Sequence, residues 1–249
     1  MEERSMVDIS FILAKSDQVL DPVRIVAAAK ELGLDLTAAA DGSTSFTIEG
    51  GGGAMVAALI GVAHPDAPMM PIAPTSPTRD DIAAAKAHIV VTGVGLAGDV
   101  RERDTLMAAL TASVIGATEA VGAMLGHGVV FHKAALFQAM AASGFEEGEL
   151  PVAIAVDITG AKEPEDRMSF LTHGMRRYGR EEVYFTAPAR GKGALGFVLD
   201  LMSWMLGDMD HAFPTGDTIG RDDGEKLKIQ RVASPAGNPE QVIRLDLPD

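Results

Sequence analysis

One segment, from Gly193 to Met209, limits the possible fold more than any other. Its apolar side chains recur at the spacing of a helix, which predicts a helix that is mostly buried. Only one line along this helix lacks apolar side chains, and it consists of Gly196, Asp200, Ser203 and Gly207. A turn at 215–220 follows, and then two segments with period-two alternation at 226–232 and 241–247. The end of the chain is therefore predicted to form a buried helix, a tight turn and a pair of strands.

This end of the chain resembles the bacterial family DUF4261. The likeness is carried by the turn "GDTIG", the acidic "RDDGEK" and the strands "LKIQRVAS" and "VIRLDLP". It includes six residues further upstream: Thr172, Gly174, Met175, Tyr178, Gly179 and Glu182. It also covers the segment from Glu119 to Phe137. The family has no established function, so the resemblance implies a bacterial domain without an assigned activity. Glu182 is expected to have a structural role at a helix-to-strand corner.

Composition limits the classes of partner. The chain has 249 residues, of which 47% are hydrophobic, so it can bury the core of one large domain or two small ones. Its formal charge of −14 opposes binding to phosphate backbones and to anionic lipid, so neither nucleic acid nor a membrane is a predicted partner. Cysteine is absent, which excludes disulfides, thiolate metal ligands and a cysteine nucleophile.

The sequence predicts a soluble, cytoplasmic protein. Its first residues, Met1-Glu-Glu-Arg4, lack the basic start and the apolar stretch of a signal peptide. No uncharged apolar run reaches the roughly 18 residues that are needed to span a bilayer. Frequent alanine and glycine are typical of a GC-rich bacterial genome.

The first half of the chain has the element order β-α-β-β-α-β. A strand at 7–14 precedes a helix that Asp21 caps and that ends near Leu32. Strands at 45–48 and 54–62 flank a run of four glycines, which is expected to be a surface turn. A proline-rich connector at 64–77 leads to a helix capped by Thr78 and to a strand at 88–92. This is the ferredoxin-like order, in which two helices cover one face of an antiparallel sheet.

A second unit is predicted to follow an acidic, glycine-containing joint at 144–149. Before the joint lie a helix at 101–118, a strand or bent pair at 120–131 and a helix at 133–142. After it, an apolar strand at 152–158 pairs through a charged turn with 168–172. The predicted domains are 1–148 and 149–249. The predicted fold class is α+β, with two ferredoxin-like (split β-α-β) units, mainly antiparallel sheet and helices on one face; whether the units share a sheet is left open.

The loop from Gly93 to Gly98 matches the G-x-G-x-x-G pattern of dinucleotide-binding units. In such units the glycines let a pyrophosphate approach a helix N-terminus. Here Asp99, Glu102 and Asp104 place negative charge where the pyrophosphate would lie, and Glu102 also stands where close packing favours a small residue. The acid expected at the end of the next strand is missing, because that strand ends at Gly126. A plain glycine-rich loop is the favoured interpretation.

Metal ligands are sparse in the sequence. His127 and His132 are five residues apart, so they would face opposite sides of a regular strand. Four acids, Asp217, Asp222, Asp223 and Glu225, do not follow the ligand order of an EF-hand loop. No metal site and no cofactor are therefore predicted.

A basic turn containing Arg190 and Lys192 precedes the long helix. Free amides and the helix dipole could hold an anion there, although the spacing is not that of a P-loop. A solvated helix cap is the simpler interpretation.

No catalytic residues are assigned, because the sequence contains neither G-x-S-x-G nor a serine at a recognisable spacing from a histidine. The leading hypothesis is a non-catalytic binding or protein-interaction module, with a protein partner or a small ligand and with homo-oligomerisation left open. The alternative is a small-molecule enzyme, or a nucleotide- or anion-binding protein, that uses Gly93 to Gly98 or the Arg190 and Lys192 turn. A third hypothesis is a structural subunit of a larger assembly.

Overall fold

The computed structural model describes residues 7–17, 19–49, 53–189, 193–220, 224–237 and 240–248. The chain divides into two compact units, Met1–Ala155 and Val156–Asp249. Both combine helices with mostly antiparallel strands, which confirms the α+β class. The predicted boundary after residue 148 lies between two helices of the first unit.

The first unit contains one antiparallel sheet of seven strands. The strands are β1 (Val7–Ala14), β2 (Leu36–Ala38), β3 (Ser45–Ile48), β4 (Ala54–Ile60), β5 (Ala87–Val94), β6 (Ala120–Leu125) and β7 (His132–Lys133). The helices are α1 (Pro22–Glu31), α2 (Arg79–Ala84), α3 (Val100–Gly116), α4 (Ala134–Glu147) and α5 (Val152–Ala155). The strand order is β2-β3-β4-β5-β1-β6-β7. All strands and helices predicted up to 142 are present, and β2 is an addition that the sequence analysis did not foresee.

Helix α3 is the central helix on one face of this sheet. It packs against β1, and α1 and α4 both pack against it. Within this interface the hydroxyl groups of Ser10 in β1 and Thr111 in α3 are hydrogen bonded. At Gly116 a Cβ would come within 3.2 Å of the Ala28 side chain and 3.0 Å of the Gln138 side chain. The three helices can therefore approach closely because small residues lie between them.

The proline-rich connector covers part of the opposite face. Leu13 faces away from α3, since side chains alternate along β1 and Ser10 faces the helix. It forms a buried cluster with Met124, Phe131 and three residues from the connector and α2: Ala67, Ile82 and Ala85. The prediction that helices pack on one face is therefore wrong for α2, because its apolar residues are needed to cover this second side of the sheet.

A histidine anchors the connector to the sheet. The ring of His64 packs edge-on against Phe11, His88 and Phe131, with centroid distances of 5.2, 5.1 and 5.5 Å. Burial, and secondarily the neighbouring His88, lower the pKa of His64, while Asp66 opposes the shift. The connector is thus packed against the sheet as well as lying over it.

The second unit contains a five-stranded sheet, a two-stranded sheet and one long helix. Its strands are β8 (Asp157–Glu163), β9 (Arg167–His173), β10 (Val183–Pro188), β11 (Thr218–Ile219), β12 (Leu227–Lys228), β13 (Gln230–Ala233) and β14 (Gln241–Asp246). Helix α6 (Ala194–Gly207) follows β10, and a 3-10 helix covers Met175–Tyr178. The sheet order is β13-β14-β10-β9-β8, while β11 pairs with β12. The predicted pairing of the last two strands is confirmed by β13 and β14.

Two expectations for the predicted second domain, 149–249, are wrong. The apolar segment predicted as a strand at 152–158 begins as α5, and β8 starts only at Asp157. Pro151 accounts for this, because its carbonyl accepts the first helical bonds, from Ile154 and Ala155. In addition, β10 and β14 are parallel direct neighbours. A split β-α-β unit would need a strand between them, but β9 and β13 pair on their outer sides instead.

Glu182 organises the corner between β9 and β10. Its carboxylate accepts hydrogen bonds from Thr172 Oγ1 at 2.7 Å and from the backbone nitrogens of Gly174, Met175 and Arg176 at 3.0, 3.3 and 3.4 Å. Gly174 has φ of 120°, which a residue with a Cβ rarely adopts. A buried carboxylate thus closes the turn, which is the structural role that the sequence predicts for Glu182.

Candidate ligand groove on helix α6

The glycine loop before α3 is closed by the chain's own carboxylates. Oδ1 of Asp99 accepts from the backbone nitrogens of Arg101 and Glu102 at 2.7 and 3.0 Å, and Oε2 of Glu102 accepts from the nitrogen of Asp99 at 2.7 Å. The hydrogen bond from the Glu102 backbone is the largest cause that lowers the pKa of Asp99. The amides that would hold a pyrophosphate therefore already bind a carboxylate, so the geometry does not support a nucleotide site here.

The two histidines singled out by sequence have separate local roles. His127 Nε2 lies 3.1 Å from the carbonyl oxygen of Ala155, and His132 Nδ1 lies 2.9 Å from Thr75 Oγ1. Within the described ranges, no three histidine, aspartate or glutamate side chains are grouped so that they could hold a metal ion.

Several candidate positions fall outside the described residues. These are Arg190 and Lys192 of the basic turn, Asp222 and Asp223 of the acidic cluster, and residues 50–52 of the glycine run. Asp217, which is described, is exposed. Its carbonyl oxygen accepts a hydrogen bond from the nitrogen of Ile229 at 2.8 Å, so its backbone has a structural role.

A groove of about 510 Å³ runs along α6. The helix contributes Gly196, Phe197, Asp200, Leu201 and Trp204, which share a face because they are three or four residues apart. The segment after the helix supplies the other wall, with Ile219 and Gly220. This volume lies within the range of small-molecule sites, which is about 300–1,000 Å³.

Trp204 is the chain's one tryptophan, and 41% of its surface is exposed. Its ring is held in place by two neighbours, with centroids 4.8 Å from His211 and 5.0 Å from Phe213. The edge-to-face contact with Phe213 is a favoured aromatic geometry. The tryptophan is thus a fixed, solvent-accessible apolar surface at the groove.

Arg180 fixes the end of α6 behind the groove. It donates from Nε to the carbonyl of Met205 at 2.7 Å, from Nη1 to that of His211 at 2.9 Å, and from Nη2 to that of Asp208. Helix ends leave carbonyls without helical partners, and Arg180 binds carbonyls at and beyond this end. Its guanidinium also lies over the Phe213 ring, 5.7 Å from the centroid. One side chain therefore connects α6 to the loop that supports Trp204.

Arg231 fixes the segment that leads to the other wall. It forms a bidentate pair with Glu181, with distances of 2.9 Å from Nε and 2.6 Å from Nη2, and Glu181 raises the pKa of Arg231. It also donates to the carbonyl of Phe213 at 3.0 Å and to Thr215 Oγ1 at 2.8 Å. These bonds hold the chain just before β11, which carries Ile219.

The described lining of the groove is mostly apolar. Among the described residues that line it, Asp200 is the one ionisable side chain, and the others are apolar, aromatic or glycine. Nucleophilic catalysis needs a nucleophile beside a base, and the described lining has no such pair.

The sequence shows Gly196 and Asp200 as part of a polar line on this helix, but Trp204, which completes the groove, was not predicted as a site residue. Positions 196, 200 and 204 are each four apart, so they follow one face of the helix. A tryptophan next to the polar line of an otherwise apolar helix is the signal in the sequence that would have indicated the groove.

No family model, curated protein or solved structure matches the chain. The resemblance to DUF4261 stays a prediction. No helix within the described residues combines the length and the apolar character that crossing a membrane requires.

Proposed function

We propose that the protein is a non-catalytic binding module and that the α6 groove is its ligand site. The observation that carries this proposal is Trp204, which lines a groove of about 510 Å³ while 41% of its surface stays exposed. Leaving an aromatic side chain in contact with water forgoes the free energy of its burial, which is about 2 kcal/mol for a large apolar residue. A ligand that covers Trp204 would recover part of that free energy.

The hydrogen bonds that hold the residues around the groove also favour a ligand site. Arg180 and Arg231 bind backbone carbonyls at the end of α6 and in the segment that follows it, so this part of the groove is ordered by contacts within the protein. A site ordered in advance loses less conformational entropy when a ligand binds. Such bracing is what a binding module requires.

We also propose a ferredoxin-like arrangement for the first unit, with α3 and β6 in place of the helix and strand predicted at 78–87 and 88–92. The order β4-β5-β1-β6, with α1 following β1 and α3 following β5, supports it. For the second unit, the meeting of Thr172, Gly174 and Met175 at Glu182 supports the proposed kinship with DUF4261, because residues that carry the resemblance depend on one another.

Trp204 fluorescence tests the ligand site directly, since the chain has no second tryptophan. We expect its emission to change on titration with at least one of three aromatic probes at millimolar concentration: 2-phenylethanol, 2-phenylethylamine and 3-phenylpropanoate. Gly196→Leu should abolish the change. A Cβ at Gly196 meets no atom within 4 Å, so the new side chain starts in open space at the groove, and replacing a helical glycine adds up to about 1 kcal/mol of stability.

Gly207→Leu is the matched control. It makes the same substitution on the same helix, it also meets no atom within 4 Å, and Gly207 does not line the groove. This variant should bind like the original protein. If no probe changes the emission, or if both leucine variants respond alike, the groove is not a ligand site.

A further inference from the structure

We infer that the α6 groove selects a small organic cation, namely an amine with a compact aromatic or aliphatic body. This inference rests on the proposed function, because it names the ligand class of the same groove. Its basis is the juxtaposition of Asp200 and Trp204, a carboxylate and an aromatic ring that line one groove.

The position of Asp200 supplies the charge preference. It is the one ionisable residue among the described lining residues, so the groove has a negative charge beside apolar walls. An ammonium group near a carboxylate gains a charge-assisted hydrogen bond, which is stronger than a bond between neutral groups. A carboxylate ligand would meet repulsion at the same place.

Trp204 reinforces this preference. Asp200 and Trp204 are four residues apart on α6 and therefore on the same face, about one turn from each other. The face of an indole ring attracts cations more strongly than the ring of any other side chain. A ligand with one ammonium group and a short apolar body can thus contact the carboxylate, the indole and the apolar residues Phe197 and Leu201 together.

The charge of the whole chain acts in the same direction. With a formal charge of −14, the protein raises the local concentration of cations and lowers that of anions. The groove volume of about 510 Å³ suits a small molecule, and this is why we assign the cation to a free amine.

Three probes of nearly equal size separate charge from shape. We expect Trp204 fluorescence to report binding of 2-phenylethylamine about tenfold tighter than binding of the neutral 2-phenylethanol, with 3-phenylpropanoate weakest. Asp200→Asn should remove most of the difference between the amine and the alcohol, because the amide keeps the shape and loses the charge. Asp210→Asn, an exposed acid that does not line the groove, should leave the difference unchanged.

The outcomes distinguish this inference from the proposed function. Equal affinity for the amine and the alcohol, or tightest binding of the carboxylate, would overturn the cation preference while leaving a ligand groove in place. Absence of binding by all three probes would reject both. Tighter binding of Nα-acetyl-lysine methylamide than of 2-phenylethylamine would also overturn the inference, because it would assign the groove to a protein side chain. Loss of binding in Asp200→Asn is evidence about the groove when its circular dichroism spectrum matches that of the original protein, because the variant is then folded.

Discussion

Helices α3 and α6 both follow a strand and a glycine-containing segment, and they differ at their surfaces: an open groove runs along α6. The amides at the start of α3 bind Asp99, and most of its residues from Asp104 to Ile115 are buried. Helix α6 begins after Gly193, whose φ is 86° and which has no side chain to cap the helix, and its Trp204 remains exposed. The starts of these two helices were the candidate binding sites in the sequence. They differ in whether side chains of the protein itself already bind the free backbone amides.

The glycines near the two helices have different structural roles. Before α3, two glycines allow close approach within the protein: a Cβ at Gly93 would lie 2.6 Å from the Leu96 side chain and one at Gly98 2.5 Å from that of Glu102. Gly95, between them, has open space beside it, but its φ of 65° is one that favours glycine. Gly196 also has open space beside it, and it lines the groove. We therefore expect changes around α3 to alter stability and changes at the groove to alter binding.

The largest expected effect concerns the turn that supports α6 and does not line the groove. Glu182→Gln should destabilise the protein by about 2 kcal/mol, because an amide group would replace one oxygen that accepts two hydrogen bonds. Urea denaturation followed by Trp204 fluorescence measures the loss. Glu165→Gln, at an exposed turn position, is the control and should leave the midpoint unchanged. Equal midpoints for the two variants would contradict the role given to Glu182.

The next effect tests the closed helix. Asp99→Ala should cost about 1 kcal/mol, since it removes the cap that binds two backbone nitrogens of α3. Its pKa is lowered in the folded protein, so the stabilisation should be present above about pH 4 and disappear as the pH falls through the folded pKa. Thermal unfolding followed by circular dichroism measures both. Weaker binding of 2-phenylethylamine in this variant would show that α3 also affects ligand binding, and it would contradict the distinction drawn between α3 and α6.

Arg180 tests whether the groove depends on its bracing. Arg180→Lys should weaken binding of 2-phenylethylamine by about threefold and shift the emission of Trp204, because one ammonium group cannot reach three carbonyls arranged for a guanidinium. The emission shift is the deciding measurement, since a general loss of stability would leave the folded spectrum as it was. An unchanged spectrum with unchanged affinity would show that α6 holds the groove by itself.

The smallest expected effect is a pH dependence in the first unit. The pKa of His64 is lowered by burial and by His88, against the opposing effect of Asp66. The folded protein therefore binds fewer protons than the unfolded chain, and stability should fall as the pH drops below about 6.5. His64→Phe should reduce this slope, measured as the thermal midpoint at several pH values between about 7.5 and 5.5. An equal slope in both proteins would assign the dependence to another group.

Local signals in the sequence predicted much of the fold. Asp21, Thr78 and Asp99 cap helices at the positions where their residue types indicate a start. Periodicity and capping residues located the strands and helices of the first unit, but the predicted β-α-β-β-α-β order ends with α2 and β5, whereas the ferredoxin-like arrangement proposed above ends with α3 and β6. The apolar run at 152–158 was the exception, because periodicity does not distinguish a short buried helix from a buried strand.

The groove could be predicted only in part. Positions 196, 200 and 204 on one helix face are visible in the sequence, whereas the opposite wall is not. Ile219 lines the groove, and the segment before it is held by Arg231, which binds Glu181 50 residues away; such a contact leaves no local pattern. The pairing of β10 with β14 was likewise not predicted, since pairing between strands that are far apart in the sequence depends on the whole sheet.

A single titration observed by nuclear magnetic resonance tests the central claim most directly. Adding 2-phenylethylamine to the ¹⁵N-labelled full chain should shift the indole N–H signal of Trp204 and the backbone signals of Gly196 and Gly220, which line the groove. The signals of Gly93 to Gly98 should stay in place, because Asp99 and Glu102 already close that loop. Shifts at the glycine loop without shifts at Trp204 would contradict the account and return the binding site to the start of α3.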